Sequence, residues 1–106
     1  MIIPTVVRVG SAFYKVTTQD TPVVVGGLQC YGYCDPNNHT IILATDIQDE
    51  QTMEQTFCHE LVHAAMFSYN VELDLEQEEL LANLIATYGE EIIQKTNEIF
   101  RRLRIK

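Results

Sequence analysis

The residues with chemistry to offer are His59, Glu60 and His63, the polar members of the run His59-Glu60-Leu61-Val62-His63. On an α-helix, residues four apart differ by about 40° in direction and about 6 Å in height, so the two imidazoles project side by side. That spacing suits two ligands of one tetrahedral zinc ion, Zn2+. Glu60 stands off the shared axis, far enough to miss the metal and near enough to reach water beside it. Zinc brings the pKa of bound water to about 7; a neighbouring carboxylate can take its proton during attack on a carbonyl, then protonate the departing amine. Two ligands and a base on one helical turn describe a hydrolytic site. The competing reading is a chance match with two surface histidines. The flanking Phe57, Leu61, Val62, Ala64, Ala65 and Met66 argue against it, because buried imidazoles and a buried carboxylate are costly without a shared purpose.

A catalytic zinc takes three protein ligands and a water. A metzincin continuation would need glycine at 66 and histidine at 69, where this chain has Met66 and Tyr69. His39, the remaining histidine, sits beside Asp35-Pro36-Asn37-Asn38 and reads as a turn residue. The third ligand is therefore expected to be a carboxylate from the acidic segment that holds Glu76, Glu78 and Glu79. On a helical wheel Glu78 borders the apolar arc, and Glu79 falls beside Ala82 and Ala86, whose small side chains permit close helix approach. Periodicity leaves the choice open. Tyr69 and Tyr88 are the candidates for stabilising an oxyanion, with packing as the competing role.

These residues need elements to position them. Up to Thr45 the chain is rich in β-branched and aromatic residues punctuated by Gly and Pro. Thr5–Val9 and Ala12–Thr17 flank Gly10-Ser11, a two-residue hairpin signal. Leu28–Cys34 and Thr40–Ala44 flank the Asp-Pro-Asn-Asn turn. Three or four short antiparallel strands are expected, with Cys30 and Cys34 on one strand face. Beyond Thr45 the period changes. Thr45 and Gln48 resemble a capping box, opening a helix from about 48 to Tyr69 with Asn70 as its left-handed stop. A second helix is expected over about 75–88, burying Leu80, Leu81, Leu84, Ile85 and Tyr88. Gly89 weakens the pattern, and a third helix carries Ile92, Ile93, Thr96, Ile99, Phe100 and Leu103 along one stripe. Sheet first and helices after is the order of an α+β fold, here as one domain over residues 1–106.

Composition is that of an ordinary soluble globular protein, 46% apolar and 21% charged. The three cysteines form no disulfide framework and Cys58 is expected in the core. No apolar run could span a bilayer, and Met1-Ile2-Ile3-Pro4 does not open a signal peptide. The net charge of −8 is unevenly placed. Residues 1–94 hold Arg8 and Lys15 against fourteen acidic groups; residues 95–106 hold five cations against Glu98. An acidic body repels phosphate backbones, so no nucleic-acid partner is expected. The basic end fits a helix C-terminus, with a docking patch as the other reading.

The run Glu79-Leu80-Leu81-Ala82-Asn83-Leu84-Ile85-Ala86, following the HExxH helix, resembles the ImmA/IrrE-type metallopeptidases, a gluzincin-like group of bacteria, phages and mobile elements. Their second helix carries a Glu-x-x-Ala-Asn-x-x-Ala pattern that this chain matches at all four defining positions. The resemblance implies a minimal zincin-like fold, with a short antiparallel N-terminal sheet, an active-site helix and two further helices. It implies His59, His63 and Glu79 as zinc ligands, Glu60 as general base and acid, and Thr40–Ala44 as an edge strand aligning a protein or peptide substrate. It further implies a regulatory target in the cytoplasm of a bacterium or phage-infected host. A catalytically inactive zinc-binding interaction module is the alternative; retention of Glu60 speaks against it, since a structural zinc has no use for that carboxylate. Nothing in the residues fixes the oligomeric state.

Overall fold

The computed structural model describes residues 3–105; Met1, Ile2 and Lys106, which enter the readings of the N-terminus and the basic end, lie outside it. Six strands precede the helices: β1 (Val6–Val9), β2 (Ala12–Gln19), β3 (Val23–Val25), β4 (Leu28–Cys30), β5 (Gly32–Asp35) and β6 (Thr40–Ala44). β1 and β2 form the expected hairpin, with Val9 opposite Ala12 and Gly10 at φ +62°, where a side chain would be strained. In β2, Tyr14 and Val16 are buried while Phe13 and Lys15 face solvent, the alternation of a strand with one face on the core.

The main sheet runs β1-β2-β6-β5, and β3 and β4 make a separate hairpin. Three strand expectations change. β2 and β6 run parallel, Lys15 to Thr40 through Gln19 to Ala44, so the sheet is antiparallel except at its centre. Side-chain alternation is the same for either direction and carries no information about it. Leu28–Cys34 is two strands in two sheets, broken at Tyr31. Cys30 and Cys34 therefore share no strand face, and Cys34 alone is buried. Finally, Thr40–Ala44 is interior, flanked by β2 and β5; the edge strand is β5.

Helix α1 (Glu50–Ser68) lies on the sheet and closes the core, with Met53 and Ala64 against Tyr14, Val16, Ile41 and Leu43. Its cap is Asp49, whose carboxylate accepts from Thr52 N at 2.7 Å. The expected Thr45–Gln48 box does not form, because both side chains tie the connecting loop to the sheet. Thr45 Oγ1 donates to Gln19 O at 3.1 Å, and Gln48 Nε2 donates to the carbonyls of Tyr31 and Ala44. At the far end Asn70 takes φ 56° as expected, and Val71 N closes on Met66 O at 2.9 Å.

Helix α2 (Leu75–Leu84) starts with a capping box between Asp74 and Gln77. It does not end before the next helix. A π turn, Ile85–Gly89, joins it to α3 (Glu90–Ile105) with helical backbone angles on both sides, so residues 75–105 form one rod. Gly89 is inside the turn rather than a break. The buried face of α2 also differs from expectation. Ala82 is fully enclosed and packs with Val62 and Met66 of α1, while Leu80, Leu84 and Tyr88 face solvent. The small residue permits the close approach, and the leucines are left on the other side.

β5 meets α1 at a glycine. A Cβ on Gly32 would lie 2.8 Å from Thr56 Cγ2 and 3.1 Å from Ile42 O. The Gly32→Ala variant should therefore lose about 1–3 kcal/mol of stability through overpacking. Urea unfolding would measure this; an unchanged midpoint would mean that β5 does not sit this close.

Candidate metal centre

His59 and His63 project from the middle of α1, one turn apart, with ring centroids 4.8 Å apart and a T-shaped arrangement. Their Nε2 atoms are 3.1 Å apart. Glu79, from the second turn of α2, places Oε2 3.1 Å from His59 Nε2 and Oε1 2.9 Å from His63 Nε2. Ligand-capable atoms of His59, His63 and Glu79 all lie within 4.8 Å of one another. Glu78 approaches the other side of His63, its Oε2 3.5 Å from Nδ1. Glu76 is exposed and joins neither contact. Of the three carboxylates left open by periodicity, Glu79 is the one brought to both imidazoles.

Glu60 faces into the fold, 7% exposed, the only buried charged residue among the described residues. Burial chiefly, and the charge of Glu79 second, push its carboxyl up to about 7; a hydrogen bond from the Cys34 amide works the other way. The edge strand β5 thus holds the carboxylate beside the histidine pair. The thiol of Cys34, buried behind it and facing the charge of Glu60, is pushed up to about 12 and stays protonated.

A cleft of about 850 Å³ opens over these residues, between β5 on one side and α1 and α2 on the other. Tyr31 and Tyr33 line it; Tyr69 and Tyr88, the tyrosines singled out by sequence, do not. Tyr31 and Tyr33 follow from the position of β5 at the sheet edge, which strand alternation could not supply. His39 lies away from the cleft, at φ 50° in its turn with its ring 5.2 Å from Tyr14. Among the described residues the lining holds no Lys or Arg. Two imidazoles and a carboxylate converging on one point, with a second carboxylate held back from it, can grip a divalent cation and keep a proton acceptor nearby.

The SprT-like family matches residues 14–78, from β2 through the histidine pair to Glu78. The chain belongs to the SprT-like family. SprT-like domains are part of the zincin-like metallopeptidase superfamily, in keeping with the α+β arrangement and with His59, His63 and Glu79 as a group that could hold a metal ion. Comparison with curated proteins and with solved structures finds no match. The matched segment of this SprT-like chain ends one residue before Glu79, so the family match does not reach that carboxylate, whose place beside both imidazoles is read from the structure. No described helix is long and apolar enough to cross a membrane.

The raised Glu60 carboxyl has a consequence for the metal-free protein. Its folded value of about 7 exceeds the ordinary 4.5, so between those values the folded state holds a proton that the unfolded chain has released. This contribution to stability is complete below about pH 4.5 and lost as pH rises through about 7, on the order of 3 kcal/mol in all. Glu60→Gln removes the titration. Urea unfolding of metal-free protein at pH 5 and pH 8 should show a smaller loss in Glu60→Gln than in the parent; equal losses would count against a buried, titrating Glu60.

Proposed function

We propose that this protein is a zinc-dependent metallopeptidase in which His59, His63 and Glu79 hold Zn2+ and Glu60 moves the proton. The observation that carries the reading is the convergence of those three side chains, at 2.9–3.1 Å, beside a buried carboxyl. Ligand atoms about 2.1 Å from a tetrahedral zinc stand roughly 3.4 Å from one another, so the donor set fits the ion with little movement. Zinc, when bound there, supplies a Lewis acid that polarises a carbonyl and acidifies water. Glu60 takes the proton of the attacking water and returns it to the amide nitrogen as the C–N bond breaks. Glu78 Oε2, 3.5 Å from His63 Nδ1, favours the tautomer with its proton on that nitrogen, which leaves the Nε2 lone pair toward the metal.

The substrate is a protein or peptide bound extended along the free edge of β5, through main-chain hydrogen bonds. Phe67, Val71 and Leu75 line the same cleft and offer an apolar wall to one of its side chains. The resemblance of Glu79-x-x-Ala82-Asn83-x-x-Ala86 to ImmA/IrrE-type peptidases favours a regulatory target, met in the cytoplasm of a bacterium or phage-infected host.

The zinc-loaded protein, incubated with a library of extended peptides, should generate new termini detectable by mass spectrometry. Glu60→Gln should keep the metal and lose on the order of a hundredfold or more in rate. A loaded parent that cuts nothing beyond the rate of Glu60→Gln would rule out the peptidase reading. The metal assignment has its own test in chelator competition. The parent should hold close to one zinc per chain, the His59→Ala/His63→Ala pair and Glu79→Ala should lose it, and Glu78→Gln should weaken it about 10–100-fold. Undiminished affinity in Glu79→Ala would remove Glu79 from the ligand set.

A further inference from the structure

The rod of residues 75–105 is about 46 Å long at 1.5 Å per residue, and its α3 half is exposed from Glu90 to Arg104. Residues 90–104 of α3 are all exposed, including Ile92, Ile93, Ile99, Phe100 and Leu103. The exposed face continues onto α2, on the side away from the metal centre, through Leu80, Leu84 and Tyr88. A helix of this length is marginal in water by itself, and its stability normally comes from burying an apolar face. An apolar stripe running from one end of the rod to the other calls for a cover of the same length.

We propose that the cover is the same rod of a second copy, packed antiparallel about a two-fold axis near Glu90. Charge placement selects this occupant. The α2 end carries Asp74 and Glu76, while the α3 end carries Arg101 and Arg104, neither of which has an ion-pair partner among the described residues. A two-fold interface must be complementary to itself, and a rod acidic at one end and basic at the other meets that condition only when antiparallel. The spacing of the stripe agrees. Leu80, Leu84, Tyr88, Ile92, Thr96 and Phe100 stand four apart, framed by Glu76 and Arg104. An axis level with Glu90 brings Leu80 to the height of Phe100, Leu84 to that of Thr96, Tyr88 to that of Ile92 and Glu76 to that of Arg104, each twice. A row of period four drifts about 40° per step on an α-helix, about 280° over the seven steps from Glu76 to Arg104, and the wider π turn at its middle takes back only part of it, so these residues match in height along the rod rather than in direction. A stripe about 10 Å wide along the rod gives roughly 1,000 Å² for the pair, enough for a specific but concentration-dependent dimer. An anionic membrane is the poorer fit, because residues 1–94, which include the first part of the rod, are strongly acidic.

Sedimentation equilibrium over a concentration series should show a species of twice 12.1 kDa. Phe100→Glu should leave only monomer. Arg104→Glu and Glu76→Arg, both on exposed positions away from the metal centre, should each weaken the dimer about tenfold. Combined in one chain, they restore opposite charges across an antiparallel pair and should return it to near the parent's affinity; helical content by circular dichroism confirms that each variant folds. A combined variant as weak as the single ones would overturn the antiparallel arrangement. A parent that stays monomeric up to about 200 µM would overturn the dimer. So would a monomeric parent that co-sediments with phosphatidylserine vesicles and not with phosphatidylcholine ones, since the stripe would then be a membrane face.

Discussion

Everything at the candidate metal centre depends on how closely two helices can approach. Glu79 has a short reach, and its carboxylate meets both imidazoles only because α2 lies against α1 through Ala82, which has no exposed surface at all. A leucine in place of Ala82 would hold the helices apart by more than the carboxylate could make up. The approach is fixed from the other side too. α1 is seated on the sheet through Met53 and Ala64, and β5 meets it at Gly32, where there is no room for a Cβ. The sheet edge, the histidine pair and the carboxylate helix are therefore held in register by small residues, and the bulky ones are pushed outward.

That arrangement concentrates negative charge. Glu60, Glu78 and Glu79 line one cleft with no Lys or Arg among its described residues. Glu60 answers by taking a higher pKa, with burial as the larger cause and Glu79 as the smaller. Such groups, displaced by desolvation and by a specific charged neighbour in a cleft, are the usual mark of a working site. A divalent cation between the imidazoles and Glu79 would relieve the repulsion directly. The same field, extended over a body with two cations against fourteen acids in residues 1–94, draws cations toward the cleft and repels acidic peptides.

How much of this was legible in the sequence follows from which patterns are local. The histidine spacing is a property of one helix, so His59 and His63 could be paired without knowing anything else. The Gly10-Ser11 hairpin and the Asn70 stop are equally local and appear as expected. Strand direction, strand order and sheet edge are not local. The parallel β2–β6 pair and the edge position of β5 depend on how distant segments meet, and with them went Tyr31 and Tyr33 as cleft residues. The helical wheel failed on α2 for a physical reason. It assigns the largest apolar arc to the core, whereas here close approach selected the alanine face and left Leu80 71% exposed. The Thr45–Gln48 box failed because a side chain near a sheet has carbonyls to bind as well as a helix end.

The π turn at Ile85–Gly89 sits between these two regimes. Up to it the rod is held by α1; beyond it residues 90–104 are exposed. One extra residue per turn rotates everything downstream, so the stripe on α3 is phased independently of the face that α2 must keep toward Glu79's partners. Charge follows the same division. Asp74, Glu76 and Glu78 at the start of α2 and Arg102 and Arg104 at the end of α3 each sit where the helix dipole favours them. The dipole favours a rod acidic at its start and basic at its finish, the same placement that an antiparallel copy would use. What it does not account for is the apolar row between those ends, which a solvated helix has no reason to carry.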